Sequence, residues 1–292
     1  MNGLLVVDKP GGITSHDVVA RLRRITGERS IGHLGTLDPM ASGVLPLLLG
    51  RFTRLAQYFS NSHKSYAGTI RFGFATDTYD AEGEVAGSVC RPSLALAEVR
   101  AEALKFLGTI EQTPPVYSAK KVAGKPAYQL ARAGKEVTLK PVTIHVSAFE
   151  VTALREDEAD FQLTVSAGGY VRSIAHGLGQ ALGCGAHLSR LRRTRSGPFS
   201  LDDAHTIDSL QVLAGDLLAL EALCVHPRNI LTNLPAVTAD ERVVGQLRNG
   251  AQANLSDFST APQVRVFAGQ SELVCIAKRI AGTLFQPQTV LV

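Results

Sequence analysis

One carboxylate stands in a glycine-studded stretch, Gly32-His33-Leu34-Gly35-Thr36-Leu37-Asp38-Pro39-Met40-Ala41-Ser42-Gly43. Proline at 39 bars the preceding residue from the helical region of backbone space, so Asp38 is held extended or in a turn and its carboxylate projects in a defined direction. Two readings follow from the residues alone. Asp38 either satisfies nearby backbone N–H groups in an ordinary Asx-turn, or it is a reactive carboxylate aimed into a pocket.

The common cofactor-dependent chemistries lack their residues. Gly124-Lys125 and Gly134-Lys135 are not followed by Ser or Thr and have no glycine at the required distance before them, so no Walker A loop is present. Ser118-Ala119-Lys120-Lys121 matches S-x-x-K, without the K-T-G or S-D-N that would complete a penicillin-binding site. Asp77-Thr78-Tyr79-Asp80-Ala81-Glu82-Gly83 departs from the register of a calcium loop. The histidines never fall as H-x-x-x-H, and Cys90, Cys184, Cys224 and Cys275 are scattered, so neither zinc nor a disulfide framework is expected. No G-x-G-x-x-G follows a strand pattern. The expectation is side-chain chemistry with no metal and no cofactor.

The chain has 292 residues, of which 45% are hydrophobic and 19% charged, enough apolar content for a large core. The longest near-continuous apolar run, Val44 to Leu49, is far too short to cross a bilayer. The first residues, Met1-Asn2-Gly3-Leu4-Leu5-Val6-Val7, carry no basic region and stop at Asp8-Lys9-Pro10, which reads as a buried strand and not a signal peptide. A cytoplasmic protein with reduced thiols is expected, without membrane attachment. Net charge is +4, and the 30 basic residues are 21 Arg and 9 Lys. Guanidinium groups suit forked phosphate contacts and stacking on bases. Two clusters, Arg21-Leu22-Arg23-Arg24 and Arg190-Leu191-Arg192-Arg193-Thr194-Arg195, are either solvated edges or surfaces for a polyanion. The alternation at 190–192 fits a half-buried strand with its basic side outward.

The elements that must hold Asp38 can be placed around it. Ser15 is the expected N-cap of an amphipathic helix running to Ile25 and closed by Gly27. Tyr66 to Phe74, Thr143 to Val151 and Phe161 to Val165 alternate as strands. Leu94 to Leu107, Arg172 to Leu182 and Leu210 to Leu223 read as helices. After a break at His226-Pro227-Arg228-Asn229, short apolar runs separated by turn residues give the texture of a small β-rich barrel. The fold class is therefore α+β, a mixed, largely antiparallel sheet with flanking helices (1–229) followed by a small β domain (230–292).

The segment G-H-x-G-x-L-D-P-x-A-x-G resembles the active-site motif of the tRNA pseudouridine synthase B family. Further blocks resemble that family in the same order: Asp8-Lys9-Pro10-x-Gly12-x-Thr14-Ser15, Lys64-x-Tyr66, Thr76-Asp77-Thr78-x-Asp80-x-x-Gly83, and Thr113-Pro114-Pro115-x-Tyr117-Ser118-Ala119-x-Lys121. Gly168-Gly169-Tyr170-Val171-Arg172-Ser173 and Leu182-Gly183-Cys184-Gly185-Ala186-His187, leading into Leu191-Arg192-Arg193, complete the set.

The resemblance implies an isomerase that converts one tRNA uridine, position 55 in the TΨC loop, to pseudouridine without cofactor or obligate protein partner. It implies Asp38 as the catalytic group, attacking C6 of the uracil or C1′ of the ribose. Tyr66 would stack on the base and could move the C5 proton, and Arg172 would pair with the carboxylate. Tyr170 and Leu191 would line the uracil pocket, and His33 would help hold the displaced base. Without the resemblance, Tyr66, Tyr170 and Leu191 read equally as core, Arg172 as a helix-end charge and His33 as a structural loop residue. Lys9 and Pro10 read as support for the Asp38 loop. The final domain resembles a PUA-like RNA-binding domain, through Leu234-Pro235 and Leu247-Arg248-Asn249-Gly250. Arg51-Phe52-Thr53-Arg54 departs from the family pattern, which has a smaller residue at 52 and Lys at 54.

Overall fold

A computed structural model describes residues 1–292 except Ala119, Ala123, Glu136 and Phe258, and the side chain of Arg132. Ala119, part of the 113–121 block, therefore lies outside the described residues.

The N-terminal apolar run forms β1 (Gly3–Lys9), and after α1 (Ser15–Thr26) come β2 (Ile31–His33) and β3 (Ser42–Leu49). β1 and β3 pair antiparallel from Gly3↔Leu49 to Lys9↔Gly43. Leu4–Val7 and Val44–Leu49 run apolar almost without alternation because both faces are covered. Leu5, Val7, Leu45, Leu47 and Leu49 enter one core, while Leu4, Val6, Val44 and Leu48 enter a second on the opposite face. That explains why the run at 44–49 does not alternate.

α1 begins one residue earlier than expected. Thr14, not Ser15, is the cap: its hydroxyl accepts from the Asp17 N–H (3.0 Å) and the Asp17 carboxylate accepts from the Thr14 N–H (2.8 Å). Ser15 is free for another task, because a capping box needs its acidic residue three positions after the cap and that residue is Asp17. Gly27 closes the helix at φ 70°, as expected.

Beyond a 3₁₀ stretch at Gly50–Phe59, β4 (Lys64–Phe72) is central to the large sheet. α2 (Leu96–Leu104) is shorter than the expected 94–107 span; β5 (Gly108–Gln112), β6 (Val142–Arg155) and β7 (Glu158–Val165) extend the sheet on one side. α3 (Val171–Ala181) leads into β8 (Ala186–Ser196), which inserts between β3 and β4. The order of the ten-stranded sheet is His205–Thr206, β1, β3, β8, β4, β7, β6, β5, with Phe199–Ser200 on β8 and β2 on β3. Pairing is antiparallel apart from β8 on β3 and the short 205–206 strand on β1. The expected helix over 210–223 is two short ones, Ile207–Val212 and Leu217–Ala222, because Gly215 takes φ 90° and Asp216 caps the second.

The C-terminal region is a five-stranded sheet of β9 (Ala236–Ala239), β10 (Gln263–Ala268), β11 (Glu272–Ala281), β12 (Leu284–Val290) and the short Ala253–Asn254, with α4 (Glu241–Arg248) against it. It has a core of its own around Val244, Leu247, Val266 and Phe285. A second apolar cluster joins it to the large sheet: Phe267, Leu273, Ile276 and Leu291 pack with Leu4, Val6, Phe52 and Leu55. Among the described residues no helix is long and apolar enough to cross a membrane.

Candidate active site

The Asp38 loop joins β2 to β3 and is tied down on both sides of the aspartate. Ser15 exchanges two hydrogen bonds with Leu37, accepting from its N–H (2.8 Å) and donating to its carbonyl (3.1 Å). On the other side the Pro39 carbonyl accepts from the Gly12 N–H (2.8 Å) and from Lys9 Nζ (3.2 Å). Lys9 is fully buried and also donates to the carbonyls of Pro10 and Ile13, at 2.9 and 2.6 Å. Burial pushes the Lys9 ammonium down to about 8, partly offset by the nearby Asp38 charge. The block at 8–15 is thus the floor of the loop, as expected for Lys9 and Pro10; the contribution of Ser15 was hidden because its residue type also fits a helix cap.

The Asp38 side chain is not in an Asx-turn pattern. Its Oδ1 accepts from Arg172 Nη2 at 2.9 Å, and the side chain remains 30% exposed. Arg172, the second residue of α3, is almost completely buried. The same guanidinium donates to the carbonyls of Tyr117 (2.9 Å) and Thr78 (3.0 Å) and lies 3.4 Å from Asp80 Oδ2. Asp80 is itself buried, and its Oδ1 accepts from Thr78 Oγ1 (2.6 Å) and the Glu82 N–H (3.1 Å). Tyr79 takes φ 64°, an unfavourable conformation for a tyrosine, and its ring stacks on His176 at 3.9 Å. This curl lets the Thr78 carbonyl and the Asp80 carboxylate meet one guanidinium. Asp80 belongs to a motif visible in the sequence, but nothing in that motif marks it as a second carboxylate on Arg172.

Burial raises the Asp38 carboxyl above its usual range; Arg172 pulls it back and Asp80 pushes it up. Pairing with Arg172 therefore favours the anion, as expected, but does not outweigh desolvation. The result is a fixed, weakly solvated carboxylate, more basic than a surface aspartate.

Tyr66 is 7% exposed, and its pKa is raised by burial against the pull of Arg193. It lies opposite Arg193 on the β4–β8 ladder, with Leu191 opposite Gly68 two residues along the same face. Both Tyr66 and Leu191 are buried in the main core cluster. His33 ends β2, half-buried, with Nδ1 inaccessible and without a hydrogen-bond partner among the described residues. Burial and then the Arg193 charge lower its pKa. Tyr170 precedes α3; its backbone exchanges hydrogen bonds with the Gln112 side chain (2.7 and 2.9 Å), and its half-exposed ring makes no hydrogen bond to Asp38. Asp38 and Arg172 are thus in direct contact. Tyr66 feels the charge of Asp38, while His33 feels that of Arg193.

The arginine stretch needs correction at one position. Arg190 (3.5 Å from Glu158) and Arg195 face solvent, and Arg192 pairs with Asp8 at 2.7 Å. Arg193, expected to face outward with them, is completely buried. From Arg190 to Arg193 the ladder to β4 is regular, so Arg193 falls on the inward face with Leu191 while Arg190 and Arg192 point out; the irregularity between Arg193 and Arg195 then returns Arg195 to solvent. There it donates to the carbonyls of Val44 (2.7 Å), Gly35 (3.1 Å) and Thr36 (3.4 Å).

Comparison with known proteins gives a consistent set of relatives. A family model described as the N-terminal domain of TruB family pseudouridylate synthases matches residues 23–171, and one for the C-terminal domain of tRNA pseudouridylate synthase B matches 172–222. A tRNA pseudouridine synthase B of Solibacter usitatus is 43% identical over 294 residues, covering 100% of both chains. That of Opitutus terrae is 51% identical over 213 residues, 73% of this chain and 88% of the relative. Among solved structures, a chain of a Cbf5-Nop10-Gar1 complex superposes with a TM-score of 0.73 at 27% identity, covering 99% of this chain and 85% of the other. A chain of the archaeal box H/ACA sRNP Nop10-Cbf5 complex gives 0.70 at 26%, covering 99% and 86%.

Proposed function

The chain belongs to the TruB family of pseudouridylate synthases and isomerises uridine in tRNA to pseudouridine; we propose that Asp38 is its nucleophile and the uridine at position 55 of the TΨC loop its target. The observation that carries the assignment of Asp38 is its 2.9 Å pairing with a buried arginine that is itself fixed by a second carboxylate and two carbonyls. Such a carboxylate has one direction of approach and little water to displace, the conditions under which covalent catalysis splits a hard step in two.

The target base is stacked inside folded RNA and has to be turned out before Asp38 can reach it. Tyr66 offers the ring for it to stack on, and Leu191 the apolar wall. Attack by Asp38, at C6 of the uracil or C1′ of the ribose, ends in the same exchange: the bond from N1 to C1′ breaks, the uracil turns, and C5 bonds to C1′. His33 and Tyr170 line the space in which the base turns. Residues 230–292 act as a PUA-like RNA-binding domain, supported by their separate sheet and core. Their basic and acidic residues nearly balance, so shape contributes to that contact more than charge.

The test is incubation of the purified chain with unmodified tRNA transcripts, with no guide RNA or added protein, and mapping of pseudouridine by position. A single product at position 55 is expected. Product at another position overturns the target, and none on any transcript overturns the reaction on free tRNA.

A further inference from the structure

We infer that Arg193 is a positioning residue of the isomerisation, holding the Tyr66 oxygen ready to accept the proton that leaves C5. The inference rests on the proposed reading of Asp38 and Tyr66 and extends it to a buried cation that the reading does not use.

Arg193 is completely buried, yet none of the ion pairs formed by the described residues includes it. Its guanidinium donates to the backbone carbonyls of Gly35, Thr36 and Val44 and interacts with the Tyr66 hydroxyl. A desolvated cation without a carboxylate is costly, and neutral amide donors could hold those carbonyls without that cost. What a neutral donor cannot supply is charge. The charge falls on Tyr66, opposite Arg193 on the ladder and equally removed from water. Burial and Asp38 both disfavour a negative tyrosine oxygen, and Arg193 is the neighbour that favours it. Arg172 is not available for that role, being committed to Asp38 and Asp80.

The chemistry has a place for such an oxygen. Once C5 is bonded to C1′, C5 still carries its hydrogen. As the proton moves to the Tyr66 oxygen, the C–H electron pair re-forms the C5–C6 double bond and the ring's N1 takes up a proton. The tyrosine hydroxyl gives up one proton, through solvent, and receives one from C5, so it is unchanged over the step. Negative charge on its oxygen during the exchange is what a fixed guanidinium stabilises.

The experiment uses tRNA transcribed with uridine deuterated at C5 and single-turnover rates for wild type, Arg193→Met, Tyr66→Phe and the double variant. Arg193→Met is expected to slow turnover on the order of 100-fold, with a primary deuterium effect well above that of the wild type. Tyr66→Phe should show the same signature, and the double variant should be no slower than the slower single one, as for residues that act as a unit. A slowed Arg193→Met with an unchanged isotope effect overturns the inference, since it would then only clasp the loop, as does a wild-type rate. If circular dichroism shows Arg193→Met unfolded, the isotope effect in Arg193→Gln, which keeps amide donors for the carbonyls and removes the charge, decides: a raised effect supports the inference and a wild-type effect overturns it. Absence of pseudouridine from the wild-type reaction would instead overturn the underlying reading.

Discussion

Arg172 and Arg193 are both buried and both bound to the Asp38 loop or its aspartate, but one sits among carboxylates and the other among carbonyls. Around Arg172 one guanidinium faces two carboxylates, and removing it leaves both without their cation. Around Arg193 backbone carbonyls hold a positive charge that no ion pair among the described residues balances, with Asp38 acting on it only from beyond contact. The same residue type thus fixes the direction of a nucleophile in one place and sets the potential around a tyrosine in the other. Burial alone does not distinguish the two roles; the list of acceptors does.

The comparison can be broken or sharpened by substitution. The largest effect is expected from Asp38→Asn, which keeps shape and removes the anion on the Arg172 side. Single-turnover rate should fall on the order of 10⁴-fold or more, while tRNA affinity by filter binding stays within a few-fold of wild type. Measurable turnover in a clean preparation would remove Asp38 from its role.

Arg172→Met follows, at roughly 10²- to 10³-fold in kcat and about 3 kcal/mol in stability, since Asp80 and Asp38 are left without their cation. Arg172 lowers the Asp38 pKa, so its removal raises that pKa further, and the acid limb of the rate profile should move to higher pH. A limb that stays in place would mean that Arg172 acts by packing alone.

On the Arg193 side, Gly43→Ala tests how tightly the bulged strand is seated. Gly43 has φ 105°, and a Cβ there would stand 2.1 Å from the Arg193 carbonyl oxygen. Urea titration should show a loss of about 3 kcal/mol, from clash and backbone strain together. An unchanged midpoint would show that β3 and β8 separate easily.

The smallest effect concerns the arginines that do face water. Arg190→Ala with Arg195→Ala should weaken tRNA binding several-fold and flatten the slope of log K against log salt by about one unit, at roughly 0.7 per phosphate contact. Identical slopes would mean that this edge only meets solvent.

Much of the site was legible because its parts are local. Pro39 after Asp38, the glycines around it and the alternation through Tyr66 follow from neighbours in the chain. Arg172 was readable through its motif, though its contact with Asp38 spans 134 residues. What could not be read depends on partners far away or on geometry without a residue signature. Ser15 has the side chain of a cap, and only the position of Asp17 relative to Thr14 assigns the cap to its neighbour. Arg193 sits in a run of arginines that looks uniformly exposed; it shares the inward face of Leu191, and the irregularity that returns Arg195 to solvent involves ordinary residues. The 210–223 helix failed at Gly215, where a left-handed backbone interrupts an otherwise helical composition. The second carboxylate on Arg172 depends on a positive φ at Tyr79, which no tyrosine advertises.

The apolar cluster that runs from Leu4, Val6 and Phe52 to Phe267, Ile276 and Leu291 makes the far end of the chain part of the foundation beneath β1 and β3. Arg54 reaches the Val290 carbonyl at 2.8 Å, and Tyr58 and Thr289 share a 3.0 Å hydrogen bond, so polar latches flank the oily seam. The two sheets are therefore joined along one packed seam. The C-terminal sheet thus packs against β1, the strand that ends at Lys9, the residue under the Asp38 loop. If the C-terminal sheet holds RNA as proposed, this packed seam is the route by which that contact reaches the floor of the Asp38 loop.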